Sequence, residues 1–385
     1  MLIGMDMEEE IVLLVVTSLR IGGQERVAIE TAKGLSSRYQ VEIVAFFQDD
    51  DQFDAPVPVH YLGVNRSTNR LSKTIGQLRR IWKLAKIRKA KKVAFVYSFG
   101  SSTNITNTFS GLFSPGRVVT SIHEFTTVRK HVLDGFVYRH SDAVICISEA
   151  MKVAVDALYP TLTNTTVINN GYDIDEIIDK SNAATPSPIP SYQFVSLGRL
   201  EPVKGFDRLL KAFALVKQEI PDASLALIGG GSMEDELKEL ASSLNIQESI
   251  HFLGMHKNPF PYLKRAEIFV MSSRNEGFPS VLIEALSCSL GCISIDCNVG
   301  PREILSRTFT RSSIKGMHFA SYGVLCEEHA DEEQTITLLA EAMVKLARDE
   351  NLLSEYQEKG IQRARDFSLD VYRQKIIHLF EKIKQ

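Results

Sequence analysis

Short, β-branched apolar runs alternate with helix-period segments along nearly the whole chain, and this alternation restricts the possible folds more than any other feature. In the first half the runs are IVLLVV (11–16), VEIVAF (41–46), KVAFVYS (92–98), RVVTSI (117–122) and DAVICIS (142–148). Each is short and continuously apolar, which suits a strand buried on both faces of a parallel sheet. Between them, residues 24–36 and 72–89 read as amphipathic helices. The segment SNAATPSPIPS (181–191) breaks the rhythm with three prolines and small polar residues, and is read as the interdomain linker. The pattern restarts in FVSLGRL (194–200), SLALIGG (224–230), SIHFLG (249–254), EIFVMSS (267–273) and GCISID (291–296). These two halves predict an α/β protein. It would have two Rossmann-like, doubly wound domains, residues 1–180 and 192–365, facing each other across a cleft. Ligands in such sheets bind beyond the carboxyl ends of the strands, so the loops leaving each strand are where chemistry is sought.

A chain of 385 residues exceeds what one core usually organises, in keeping with two domains. The net charge of −3 implies no polyanionic partner for the whole molecule. Its longest apolar runs fall far short of the ~20 residues that span a bilayer, and the N-terminus lacks the basic and apolar regions of a secretory signal. Cys146, Cys288, Cys292, Cys297 and Cys326 form no CxxC pair and sit in or beside apolar runs. They read as buried thiols of a reducing compartment, and the expected location is the cytoplasm.

Three loops carry candidate chemistry. After the first strand, Gly22 and Gly23 allow close backbone approach at a helix N-terminus, where free N–H groups favour anions; a tight turn with no ligand would use the same glycines. The G-x-G-x-x-G fingerprint is absent there, and Gly229-Gly230-Gly231 fails it because Glu234 stands at the third glycine position. Arg199 and Lys204, in SLGRLEPVKG (196–205), follow a strand and precede a helix near Phe206. Two cations there can grip a diphosphate, or can simply be a solvated pair. In RNEGFPSVLIE (274–284), Gly277 and Pro279 read as a turn with Pro279 at the first helical position. Glu276 would precede that helix and Glu284 lie about two turns along it. The N–H groups of Gly277, Phe278 and Ser280 could bind sugar hydroxyls or phosphate; a capping and a surface glutamate are the plainer reading.

Together these residues resemble the large family 4 of retaining glycosyltransferases, of two-Rossmann GT-B architecture and bacterial surface-polysaccharide type, over nearly the full length. The matching pieces are Gly-Gly-Gln-Glu-Arg (22–26), Asn170-Gly-Tyr-Asp173, Gly-Arg-x4-Lys-Gly (198–205), Glu276-x7-Glu284 and Gly300-Pro-Arg-Glu-Ile304. The resemblance implies that Arg199 and Lys204 hold the donor diphosphate. Glu276, with the backbone of Gly277 and Phe278, would contact the transferred sugar, and Glu284 the ribose. It implies that His123, after the 117–122 strand, faces the sugar; read from composition alone, His123 is a hydrogen-bonded strand-end residue. Gly22 and Gly23 would leave room for diphosphate and acceptor. A C-terminal helix (366–385) would return to the first domain. Where relatives carry Ala-Cys-Gly-x-Pro-Val, this chain has Ser287-Cys-Ser-Leu-Gly-Cys292, which leaves that turn less constrained.

The expected donor is a nucleotide-diphosphate sugar, UDP-linked by analogy, and the expected acceptor a saccharide or lipid-linked saccharide. Asp173-Ile-Asp175, an Asp-x-Asp, reads as helix capping, so no metal or other cofactor is expected. Residues 66–92 contain eleven Lys or Arg and no Asp or Glu. Within LRRIWKLAKIRKAKK (78–92), Arg79, Arg80, Trp82, Lys83 and Lys86 are the candidate contacts of a basic amphipathic helix with an anionic membrane surface. A core-packed helix with a solvated basic face is the alternative. No nucleic-acid-binding module is recognised. The rival functions are a nucleotide-sugar epimerase of the same fold and a catalytically silent nucleotide-sugar-binding partner subunit.

Overall fold

The apolar runs assemble into two parallel sheets of seven strands each in a computed structural model that describes residues 10–20, 23–50, 52–64, 69–123, 131–185, 189–297, 300–307 and 314–385. The first unit comprises Met1–Tyr172 and Leu369–Gln385, and the second Asp173–Ser368.

The first unit runs β1 (Ile11–Val16), α1 (Gly23–Leu35), β2 (Gln40–Ala45), β3 (Val59–Tyr61), α2 (Arg70–Lys91), β4 (Phe95–Phe99), α3 (Ser101–Gly111), β5 (Arg117–Ile122), α4 (Val132–Arg139), β6 (Ala143–Cys146), α5 (Glu149–Leu158) and β7 (Thr165–Val167). Its sheet order is β3-β2-β1-β4-β5-β6-β7, so the winding reverses between β1 and β4. Successive residues of β1 serve opposite faces. Val12, Leu14 and Val16 pack with α1, whereas Leu13 and Val15 pack with Leu84 of α2. This is why the run carries no polar alternation.

The second unit runs α6 (Ile174–Ser181), β8 (Tyr192–Leu197), α7 (Phe206–Glu219), β9 (Leu225–Ile228), α8 (Glu234–Ser243), β10 (Ile250–Gly254), α9 (Phe260–Leu263), β11 (Ala266–Met271), α10 (Ser280–Ser287), β12 (Gly291–Ile295), α11 (Gly300–Leu305), β13 (Met317–Ala320), β14 (Gly323–Cys326), α12 (Glu332–Arg348) and α13 (Glu350–Arg365). Its order is β10-β9-β8-β11-β12-β14-β13, with only β13 antiparallel among the described strands and the reversal between β8 and β11. The last helix, α14 (Leu369–Lys384), belongs to the first unit. There Phe380 stacks on Phe95 at 4.3 Å, and the Tyr372 hydroxyl meets Thr31 Oγ1 at 2.8 Å.

The proline-rich run 181–191 does not separate the units. The chain changes unit at Tyr172/Asp173, and α6 belongs to the second unit, where Asn258 Nδ2 donates to the Lys180 carbonyl. Of its prolines, Pro190 is described and lies just ahead of β8. The boundary itself is marked only by Asp173, whose Oδ1 accepts from Glu176 N as the cap of α6. Asp175 pairs with Arg365 at 2.9 Å, so Asp173-Ile-Asp175 is engaged in capping and an ion pair.

Helix α2 is rotated differently from the expectation for two of its cations. Residues 76, 80, 84 and 87–88 fall on the sheet side of a helix with 3.6 residues per turn. Accordingly the Arg80 guanidinium lies over the rings of Phe46 and Phe47 at 4.8 and 5.0 Å, and its buried Nε has no hydrogen-bond partner among the described residues. Lys83 Nζ donates to the Leu62 carbonyl. Arg80 and Lys83 are therefore committed to the fold, whereas Arg79, Trp82 and Lys86 are exposed. Arg88 is wholly buried. All five cysteines are buried and unbridged, and no helix among the described residues is long and apolar enough to cross a membrane.

Candidate active site

In the second unit the two loops that matter leave adjacent strands at the winding reversal, β8 and β11. After β8 the chain passes Arg199 and enters a 3₁₀ turn, Pro202–Lys204, closed by Gly205 in the left-handed region at φ 64°. A Cβ on Gly205 would sit 2.1 Å from the Ser272 carbonyl oxygen, so only glycine lets the turn lie against the end of β11. Gly229 does the same from the other side: at φ 140° its Cβ would meet the Gly198 oxygen at 1.9 Å. That contact accounts for part of the Gly229-Gly230-Gly231 run without a nucleotide.

These approaches bring Lys204 and Glu276 together. Lys204 Nζ donates to Glu276 Oε1 at 2.6 Å, and the Ser273 hydroxyl donates to the same oxygen at 2.8 Å. The lysine and glutamate side chains are 22% and 11% exposed, so the pair is shielded but reachable. Arg199 is exposed and pairs with no carboxylate among the described residues. An entering diphosphate would thus find the Arg199 guanidinium and an ammonium that can exchange its carboxylate partner for the anion.

A second set of side chains, which no motif pointed to, laces the loops. Arg274 forks onto Asp207 at 2.7 Å through both nitrogens, reaches Glu332 at 2.6 Å and donates to the Pro202 carbonyl. Its own N–H bonds the Val203 carbonyl. Burial opposes the charge on Asp207, but the bidentate Arg274 prevails and holds its pKa below the ordinary value. Arg208 extends the network to Glu328 and Glu332. Asp207, Glu328 and Glu332 lie too far along the chain from Arg274 for local spacing to expose the link.

Helix α10 begins at Ser280, one residue later than expected. Pro279 takes the cap position with an extended ψ of 102° and offers no side-chain cap, because a proline ring has no acceptor. Glu284 is the fifth residue of the helix and is buried. The Phe278 ring packs edge-on against Phe367 at 5.4 Å, so the backbone is what this residue can offer a ligand. Farther on, Arg302 and Asp296 form a buried pair at the carboxyl end of β12.

The first unit has its own pocket, of about 220 Å³, at the β1/β4 reversal, with Thr17, Gln24, Gly100, Asn104, Ser121 and His123 in its wall. Gly23 opens α1; Gly22 lies outside the described residues. Ser121 Oγ donates to the Ser98 carbonyl at 2.9 Å and meets His123 Nε2 at 2.8 Å. With its one proton spent on Ser98, the hydroxyl must accept from His123, so Nε2 carries hydrogen and Nδ1 keeps a lone pair. Desolvation lowers the His123 pKa to about 4. Since the folded value lies below the ordinary histidine value of 6.5, the neutral ring stabilises the fold above that pH, and the contribution is lost as pH falls toward 4. In ¹⁵N spectra assigned with His123→Gln, His123 is expected to remain an Nε2–H tautomer down to about pH 5. A titration midpoint near the ordinary histidine value would contradict this arrangement.

Two doubly wound units with ligand loops at both reversals are the architecture of GT-B glycosyltransferases. A crystal structure of Anabaena Alr3699/HepE in complex with UDP shares it, with a TM-score of 0.74 at 20% identity over 97% of this chain and 100% of that one. The chain belongs to family 4 of the glycosyltransferases and is an enzyme of that class: the model "Glycosyltransferase Family 4" matches residues 21–176, and "Glycosyl transferases group 1" matches 177–365. An uncharacterized glycosyltransferase, MJ1059 of Methanocaldococcus jannaschii, is 34% identical over 61% of this chain and 62% of its own length. From Campylobacter jejuni, N-acetylgalactosamine-N,N'-diacetylbacillosaminyl-diphospho-undecaprenol 4-alpha-N-acetylgalactosaminyltransferase is 24% identical over 91% of this chain and 93% of its own.

Proposed function

We propose that this glycosyltransferase is a retaining, metal-independent hexosyltransferase. It takes a UDP-hexose or UDP-N-acetylhexosamine and transfers the sugar to a lipid-linked saccharide in bacterial surface-polysaccharide synthesis, working at the inner face of the cell membrane. The observation that carries the reading is the meeting of Lys204 with Glu276 on loops that leave two adjacent strands, with Arg199, paired with no carboxylate among the described residues, on the first of those loops. Departure of a nucleoside diphosphate puts negative charge on phosphate while positive charge grows at the anomeric carbon. Arg199, as a fork, and Lys204, as a point charge, stabilise the first and stand in place of a divalent ion. As Lys204 turns to phosphate, the Glu276 carboxylate becomes free to accept from a sugar hydroxyl. The backbone of Gly277, Phe278 and Ser280 at the uncapped start of α10 adds N–H donors, and Glu284 takes the ribose. In the first unit's own pocket, neutral His123 offers Nδ1 as an acceptor to a hydroxyl that enters there. Retention follows from the family resemblance, and a lipid-linked acceptor is supported by the printed name of the Campylobacter relative.

The test is a transfer assay with a panel of UDP-sugars, an undecaprenyl-diphosphate-linked saccharide and EDTA, followed by NMR of the new linkage. The expected result is a product of the donor's anomeric configuration at full rate in chelator. A need for added divalent metal, or an inverted product, would contradict it.

A further inference from the structure

Helix α2 buries one face and leaves the opposite one apolar. Leu71, Ile75, Leu78 and Trp82, spaced i, i+4, i+7 and i+11, are 69%, 44%, 61% and 60% exposed. This spacing makes one continuous stripe about 16 Å long at 1.5 Å per residue. The same line continues into exposed Lys86 and Lys89, and Arg79 flanks it. Lys86 Nζ rests over the Trp82 ring at 4.2 Å. No acidic residue occurs in the first turn, where the helix dipole would favour one, although the sequence there supplies Arg70 and Lys73. Isolated exposed apolar residues are ordinary on a soluble protein, whereas a four-residue stripe bordered by cations that pair with no carboxylate among the described residues calls for an occupant.

We propose that this face of α2 docks on an anionic lipid bilayer. Leu71, Ile75, Leu78 and Trp82 enter the boundary between headgroups and acyl chains, and Lys86, Lys89 and Arg79 lie on headgroup phosphates. Charge selects a bilayer over a second copy of the chain. A two-fold contact through this face would set its cations against a stretch equally rich in cations, because residues 66–92 hold no carboxylate to answer them. The position of the face suits its use. The apolar half is the amino-terminal half of α2, and there Gln77 Nε2 donates to the Ser102 carbonyl and Thr106 Oγ1 of α3. Helix α3 also supplies Asn104 to the pocket that holds His123. The inserted stripe is thus one helix away from that pocket. The inference deepens the lipid-linked acceptor reading and rests on it for its purpose, but the binding is measurable without turnover.

Trp82 is the single tryptophan of the chain and reports directly on its own insertion. With vesicles of phosphatidylcholine and phosphatidylglycerol, its emission should shift to the blue and the protein should co-sediment; phosphatidylcholine alone should produce neither effect. Leu71→Asp/Leu78→Asp should weaken co-sedimentation by about 100-fold or more. Lys86→Ala/Lys89→Ala, a milder pair, should weaken it by roughly 30-fold. Stabilisation by UDP should persist in both variants, showing that a lost vesicle signal is not a lost fold or donor site. The proposal is overturned if the wild type ignores anionic vesicles or sediments with them while Trp82 emission stays unchanged. It is equally overturned if the variants bind like the wild type, or if they convert a dimer into a monomer.

Discussion

Lys204→Ala is expected to lower turnover by ~10²–10³-fold, the usual loss when one preorganised charge stabiliser is removed from a reacting centre. The ammonium lies 2.6 Å from Glu276 at the end of a turn held by Gly205, so it is positioned before any substrate arrives. In the proposed reaction its contribution would grow as charge builds on the departing diphosphate, which places the expected loss chiefly in kcat. The fold should tolerate the change. Glu276 keeps the Ser273 hydroxyl, and the anchoring of both loops through Arg274, Asp207 and Glu332 does not involve Lys204. Steady-state kinetics with the preferred donor, alongside a melting curve, provide the check. Turnover within a few-fold of the wild type would remove Lys204 from the chemistry.

The largest effect on stability is expected at Arg88, in the first unit. Its guanidinium is wholly buried and pairs with no carboxylate among the described residues. Instead it donates to the carbonyls of Pro115, Asn107 and Gly116, to Asn107 Oδ1 and to Ser110 Oγ. Burial lowers its pKa to about 10, which still leaves it charged at neutral pH. It ties α2, α3 and the turn into β5 into one block. Arg88→Ala strands several buried acceptors at once, each at about 1–3 kcal/mol, so a loss of at least ~3 kcal/mol is expected. Arg88→Met should fare little better, because an apolar side chain of similar volume leaves the same carbonyls unanswered. Denaturant unfolding followed through the single Trp82 measures the change. A loss under about 1 kcal/mol would show that water or rearrangement satisfies those groups.

Much of the architecture was legible in the apolar runs because both sheets are covered on both faces, so β1, β5, β8 and β12 needed no alternation to be seen. The short strands β3 (VHY) and β7 (TTV) carry no such run, being three-residue edges of intermediate burial. The unit boundary was misplaced for a physical reason: prolines exclude regular structure but say nothing about which side a neighbouring helix packs on. Glu276, Arg199 and Lys204 stood out through the family pattern, yet their approach depends on Gly205 against Ser272, a contact between distant segments. The clasp of Arg274 on Asp207 was invisible for the same reason. In α2 the mixture of cations and apolar residues was plain, but not the rotation of the helix. Leu84 and Arg88 turned inward while Leu78 and Trp82 turned out, so the apolar residues facing solvent came to light only with the fold.

The central claim is that the loops after β8 and β11 hold a nucleoside diphosphate by fixed cations rather than by a metal. Calorimetric titration of the purified protein with UDP, GDP and ADP in EDTA tests it, with Arg199→Ala in parallel. Saturable binding of UDP in chelator, weakened about 10–100-fold in Arg199→Ala by loss of one charge-assisted contact, is the predicted result. Binding that appears only when magnesium is restored, or that is unchanged in Arg199→Ala, would contradict it.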